Sequence, residues 1–316
     1  MNVVKRLLPA ASLFVLCAYF ALRSPRFLSL DNWFALSSQY AYLLIIGVGA
    51  TLVIVAGGID LSVGSVVALS GVVAADAMVN RGAPPWAGVL IGVVVGACAG
   101  LANGLIVTGL RVPPFIATLG TLLVARGLAL RVAGGVTVDG TPDAFNALAN
   151  ARPLGVPAPL VIVAAVALVV AFVFRYTTFG RYVYAIGANA QAARTSGVNV
   201  AGVSVWVYVI GGALAGLAGL VETARLGSGN PTGGQNYELD VVTAVVVGGA
   251  SLAGGVGGVA GTLIGGLLIA VLRNGSNLLG VDPFDQNIYI GLLIIGAVAL
   301  DQRLLRGRGF GGAAAR

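Results

Sequence analysis

The 316-residue chain is 58% apolar and only 9% charged, with a mean hydropathy of +0.98; an ordinary soluble domain carries about 25% charge. Those values exclude a soluble domain and point to an all-α, polytopic integral membrane protein, a single domain over 1–316. The net charge of +7 sits in short connectors and the C-terminal tail, which reads as contact with membrane lipids and not with nucleic acid. Histidine is absent, which removes histidine metal sites and proton relays, and no metal site is expected. The single lysine, Lys5, precedes the first apolar run, so the chain cannot hold the Gly-Lys-Ser/Thr turn of a P-loop ATPase. Cys17 and Cys98 both lie in apolar runs and read as small packed hydrophobes.

Met1 to Arg6 is expected to be cytoplasmic, followed by a first span over Leu7 to Leu22 and an external connector, Arg23 to Asn32. A second span covers Phe34 to Ala56, with Gln39 near its outer end. Gly57 and Gly58 break it, and Asp60 is placed to cap a third helix from about Leu61 to Val79. The fourth span, Trp86 to Thr108, carries Gly88, Gly92, Gly96, Gly100 and Gly104. That small-residue ridge predicts close backbone packing, and its four-residue step turns it slowly enough to meet more than one neighbour. A fifth span over Phe115 to Val132 contains a buried Arg126, and the polar interval Gly134 to Pro159 is placed outside.

Leu160 to Phe174 is a sixth span, followed by a cytoplasmic stretch, 175–200. Within it Asn189 can cap a short alanine-rich helix that ends at Ser196 and Gly197, a smooth plug for another protein's groove. Ala201 to Thr223 is a seventh span, and Leu226 to Tyr237 an external loop. Glu238 to Gly249 is too short to cross alone and is followed by a glycine-rich break, Ser251 to Gly258. Val259 to Leu272 is a ninth span, Arg273 to Asn287 is external, and Ile288 to Leu300 is the last span, before a basic tail. The result is about ten helical segments with broken helices, multi-pass, with both termini cytoplasmic.

The junction Gly57 to Ser65 stands out, because a lone carboxylate at a bilayer centre costs about 2.5–3.5 kcal/mol on insertion scales. Helix capping explains Asp60 by itself; a broken helix beside a polar path explains it equally well. An uncharged polar cargo needs donors and acceptors along its path. Candidates are Gln39, Asp60, Ser62, Ser65, Asn103, Thr118, Asn236, Asn274 and Asn277, with Gly57 and Gly58 as the hinge. Some of these are expected to serve instead as caps or interhelical hydrogen bonds. Glu222 and Arg225, three apart, suggest a local ion pair. Tyr237-Glu238-Leu239-Asp240 reads as an external gate or as the cap of the eighth helix.

Several of these stretches, in this order, resemble one family. Gly58-Ile-Asp-Leu-Ser-Val-Gly-Ser65, Gly180-Arg-Tyr, Ala192-Ala-Arg-Thr-Ser-Gly197, Tyr237-Glu-Leu-Asp240 and Gly248-Gly-Ala-Ser-Leu-Ala-Gly-Gly255 are similar to the permease subunits of bacterial ABC sugar importers. So are Gly261-Thr-Leu-Ile-Gly265 and Asn274-Gly-Ser-Asn-Leu-Leu-Gly280, while Arg152-Pro-Leu-Gly-Val-Pro157 looks like the ribose-type branch. The resemblance covers about Phe27 to Asp301. It implies import of ribose or a related pentose across the bacterial inner membrane, a second permease copy as homodimer partner, and a periplasmic sugar-binding protein outside. A separate ABC ATPase subunit would use the ATP and magnesium; this chain would bind no cofactor and catalyse nothing. Ala188, Asn189, Ala192, Ala193, Arg194, Ser196 and Gly197 match the family's coupling helix and would dock that ATPase. Gln191 departs from the pattern, since an acidic residue is frequent there in such loops. The rivals are an ABC permease for branched-chain amino acids and an ion-coupled secondary transporter.

Overall fold

The computed structural model describes residues 3–293 and 295–296. It is a helical bundle in which α1 (Val3–Arg23), α2 (Leu30–Gln39) and α3 (Ala41–Val55) are followed by α4 (Val63–Val79), α5 (Pro85–Gly109) and α6 (Pro114–Val132). A short α7 (Asp143–Asn150) precedes α8 (Ala158–Tyr176), α9 (Thr178–Thr195) and α10 (Val200–Leu226), and then come α11 (Tyr237–Val247) and α12 (Val259–Leu278). A further helical stretch occupies 283–293. Among the described residues, one small sheet pairs β1 (Val138–Asp139) antiparallel with β2 (Ser228–Gly229), tying the two loops at one end of the bundle together. Among the described residues, α5, α6, α8, α10 and α12 are long and apolar enough to cross a membrane, as is the bent α2–α3 pair.

Three boundaries differ from those expected. The second span is broken at Tyr40, where α2 and α3 meet at a 50° bend. Ser37 Oγ donates to Phe34 O at 2.9 Å in the last turn of α2, a back-bond that competes with the helical ladder and favours a bend. The ninth span does not end at Leu272: α12 continues to Leu278 and takes Arg273 and Asn274 into the helix. Arg273 is tolerated there because Asp240 on α11 pairs with it at 3.0 Å. The third helix starts at Val63, so its cap position is Ser62 and not Asp60. The last span lies partly outside the described residues, and the tail arginines lie wholly outside them.

All residues of α3 are buried, as a helix that is apolar on every side demands. Its main neighbour is α10, the hub of the bundle, which presents a different glycine to each of three helices. Gly211 meets Gly49 of α3, Gly212 and Gly216 meet Gly96 and Gly100 of α5, and Gly219 lies against the Val67 carbonyl of α4. The α5 ridge answers this pattern. A Cβ on Gly96 or Gly100 would strike the carbonyl of Gly212 or Tyr208, and one on Gly92 would strike Leu220. Only Gly88, at the start of the ridge, faces α4 instead, through Met78. The ridge therefore serves two neighbours, with α10 dominant.

A repeat emerges that divides the core. The α3–break–α4 unit and the α11–break–α12 unit close in the same way. Gly58 N donates to Val53 O at 2.9 Å and Ala250 N to Val245 O at 3.1 Å, the wide hydrogen bond of a left-handed helix end. The residues that turn the chain are Gly57 (φ +85°) and Gly249 (φ +94°), where a side chain would be strained. Each turn is followed by a side-chain oxygen accepting from the amide two residues on, Asp60 from Ser62 at 2.8 Å and Ser251 from Ala253 at 3.3 Å.

Gly100→Leu is expected to destabilise the bundle by about 1–3 kcal/mol through overpacking against Tyr208. Gly120→Ala, on an open face of α6, should not destabilise it. Thermal melting of the purified protein in detergent would show the contrast, and equal melting of both variants would contradict the packing argument.

Candidate functional site

The predicted polar residues fall into two groups at opposite ends of α3, separated by about 22 Å given its length and the 1.5 Å rise per residue. The first group surrounds the break after α3. Asp60 is buried, and its Oδ1 accepts from both the amide and the hydroxyl of Ser62. Asn103 Nδ2 on α5 donates to Ser62 Oγ at 2.9 Å, and Thr118 Oγ1 on α6 reaches Ile59 O at 3.3 Å. Asp60, Ser62, Asn103 and Thr118 thus form one network that fastens the break to two other helices. Asp60 acts as a turn former within it, bonding two residues ahead and not to the first amides of α4. Ser65 is buried one turn into α4.

This break touches the second one directly. Gly255 N donates to Val55 O at 2.8 Å, and Gly254 packs on the Cα of Gly57. Wedged between them is Gly187 of α9, where a Cβ would strike both the Val55 carbonyl and the Gly255 amide. Tyr184, one turn earlier, donates to Gly257 O at 2.8 Å. Both irregular segments therefore rest on a single turn of α9.

Beyond that turn α9 is kinked, with Asn189 in an extended conformation (φ −164°, ψ 99°). Asn189 Oδ1 accepts from Ala192 N at 2.9 Å and so starts a new short helix, as its position in the sequence suggested. Gly197 ends it at φ +85°. Ala188, Asn189, Ala192, Arg194, Ser196 and Gly197 are exposed. Ala193 is not; it is buried toward the bundle and offers nothing to a docking partner.

The second group lines a polar cavity of about 380 Å³ at the far end of α3, which holds Gln39, Asn236 and Asn277. Asn236 adopts a left-handed conformation (φ +66°) there, one of the few non-glycine types that does so readily. Asn274 lies elsewhere. It exchanges two hydrogen bonds with Asn32 at 3.0 and 3.1 Å, stapling α12 to α2.

Several contacts were not legible in the sequence. Tyr42 stacks on Tyr237 with ring centroids 4.0 Å apart and 15° between planes. Tyr237 Oη donates to Glu222 Oε1 at 2.6 Å, so the partner of Glu222 is this tyrosine and not Arg225. Arg126 donates to the carbonyls of Pro231 and Gly233 at 2.7 and 2.6 Å, pinning the loop before α11. The twin breaks did carry a signal: Gly57-Gly-Ile-Asp-Leu-Ser62 is echoed by Gly248-Gly-Ala-Ser-Leu-Ala253. The pairing of Tyr42 with Tyr237, far apart in sequence, carried none.

The family model described as the permease component of branched-chain amino acid transport systems matches residues 32–298, from α2 through both breaks and α9. The chain belongs to this permease family. The permease is 43% identical over 296 residues to the ribose import permease protein RbsC of Escherichia coli (strain K12), covering 92% of each chain. It is 42% identical over 309 residues to RbsC of Bacillus subtilis (strain 168), covering 96% of this chain and 94% of the relative. The D-allose transport system permease protein AlsC of Escherichia coli (strain K12) is 38% identical over 289 residues, covering 91% of this chain and 89% of AlsC. No solved structure matches.

Asp60→Asn keeps an acceptor for Ser62, so the permease should melt close to wild type. Asp60→Leu strands a buried amide and hydroxyl and should cost about 1–3 kcal/mol. Equal melting temperatures for the two variants would rule out the turn-forming role.

Proposed function

We propose that the permease is the membrane-spanning subunit of an ATP-driven importer of ribose or a related pentose. The observation that carries this reading is the near full-length identity of 43% to a ribose import permease, over a stretch that includes both breaks and α9. Sugar would arrive from a periplasmic binding protein, and the energy from a separate ATPase subunit that uses ATP and magnesium. Two copies of the chain would enclose the path in the inner membrane, with both termini cytoplasmic. The exposed, capped helix at Ala188 to Gly197 fits a groove on the ATPase, with Arg194 as its one charge.

The geometry supplies a mechanism for coupling. ATPase closure pushes α9, and Gly187 bears on Val55 and Gly255. Displacement there moves both breaks together, because each gives the other a hydrogen-bond partner. α3 and α11 end at those breaks and run from them to the far cavity, so a shift at one end alters access at the other. Alternating access of this kind is a rigid-element movement between two packed states. The branched-chain amino acid reading rests on the family description alone, whereas the aligned relatives are named for sugars.

Reconstitution with the ATPase and the binding protein tests the assignment. Ribose-loaded binding protein should stimulate ATP hydrolysis, and stimulation by leucine or isoleucine in place of any sugar would overturn it. Uptake that persists without the ATPase and collapses with an ionophore would do the same. Two variants separate docking from transmission. Arg194→Glu should weaken retention of the ATPase. Gly187→Ala should keep the ATPase bound yet lose coupled transport, and normal uptake by Gly187→Ala would refute transmission through this contact.

A further inference from the structure

The far cavity has a composition that capping and interhelical packing do not explain. One wall is an ion pair in which Arg273 Nη2 donates to both oxygens of Asp240 at 3.0 Å. That pair occupies a single nitrogen of the guanidinium. Arg273 Nε is buried and has no hydrogen-bond partner. Beside the pair stand side-chain amides: Asn277, whose Oδ1 accepts from Gln286 at 2.7 Å, and Gln39 and Asn236 at the exposed rim. Tyr40, Tyr42 and Tyr237 line the same cavity. The stacked Tyr42–Tyr237 pair is held by the Tyr237–Glu222 hydrogen bond.

A pentose ring is uncharged, with hydroxyl groups around its edge and C–H groups on its faces. It needs bidentate donors and acceptors on one side and flat apolar surface on the other. A paired carboxylate and guanidinium satisfies the first requirement without leaving a net charge, because the two compensate each other while each keeps spare hydrogen-bonding capacity. The tyrosine rings satisfy the second. The volume of about 380 Å³ falls within the range of small-molecule sites, roughly 300–1,000 Å³.

We infer that this cavity is a sugar-binding subsite of the permease itself, in which the Asp240–Arg273 pair and the rim amides hold hydroxyl groups beside the tyrosine rings. The inference rests on the ribose-import reading. It adds that the permease checks its cargo a second time, after release from the binding protein. Sugar hydroxyls meet the pair as both donors and acceptors, and a ligand that leaves the desolvated polar groups of the cavity unpaired is rejected.

The test is equilibrium binding of labelled ribose to the full permease–ATPase complex in lipid nanodiscs, without the binding protein. Saturable binding is expected. The paired variant Asp240→Asn/Arg273→Gln keeps an amide pair but loses the charges, and it should weaken binding about tenfold or more. Gln39→Ala, at the exposed rim and in ordinary helical backbone, should weaken it a few-fold and reduce discrimination between ribose and arabinose in uptake. Absence of saturable binding by the wild type overturns the inference, as does unchanged binding by both variants. If the variants lose stimulation by the loaded binding protein while ribose binding is unaltered, the cavity is a protein-docking surface and the inference also falls. Failure of the wild-type complex to respond to any sugar-loaded binding protein is a separate result and strikes the importer reading itself.

Discussion

The structure depends on backbone-to-backbone contact along α10. In lipid, one apolar side chain gains little by leaving hydrocarbon for another, so helices associate through close packing and hydrogen bonds. The glycines of α10 remove the side chains that would keep neighbouring helices apart, and α5 answers with glycines in the same register. With α10 on one side and α8, α11 and α12 around the rest, α3 is enclosed entirely. Every irregular segment of functional interest is then placed relative to that enclosed helix.

Enclosure also makes the two breaks possible. Backbone that leaves the helical ladder inside a membrane needs partners from protein or water. Here the breaks supply each other, through the Gly255 amide and the Val55 carbonyl, and Tyr184 covers the Gly257 carbonyl. The arrangement is economical and also mechanical: neither break can move without the other or without α9. The contact at Gly187 is too close for any side chain, so even a methyl group would push the three segments apart.

The polar residues divide accordingly. Near α9 most of their capacity holds shape: Asp60, Ser62, Asn103 and Thr118 bond to one another and to backbone, with Asn103 Oδ1 left over. At the far end they are only partly satisfied, with a free Arg273 Nε and exposed amides around a cavity. A satisfied network stiffens a fold, and a buried polar group left unpaired is costly. Asp60 belongs to the first kind, which moves attention from the carboxylate conspicuous in sequence to the ion pair that was not.

Composition and local motifs alone establish the class, most span boundaries, the glycine ridge, the first break and the capped helix at Asn189. Each of those depends on local composition or on contacts within a few residues. The sequence also showed the family, because the motifs that carry it are contiguous. It misjudged the second span, which bends at Tyr40 beside a serine back-bond, and the end of the ninth, which runs on through Arg273 because Asp240 pairs with it. Only the tertiary structure decided which polar residues share a site. Asn236 and Asn277 join Gln39, while Asn274, three residues before Asn277, turns to Asn32 instead. Successive residues of a helix point in different directions, so spacing along the chain cannot tell which neighbour each will meet. The packing of α3, α11 and α12 settles that choice.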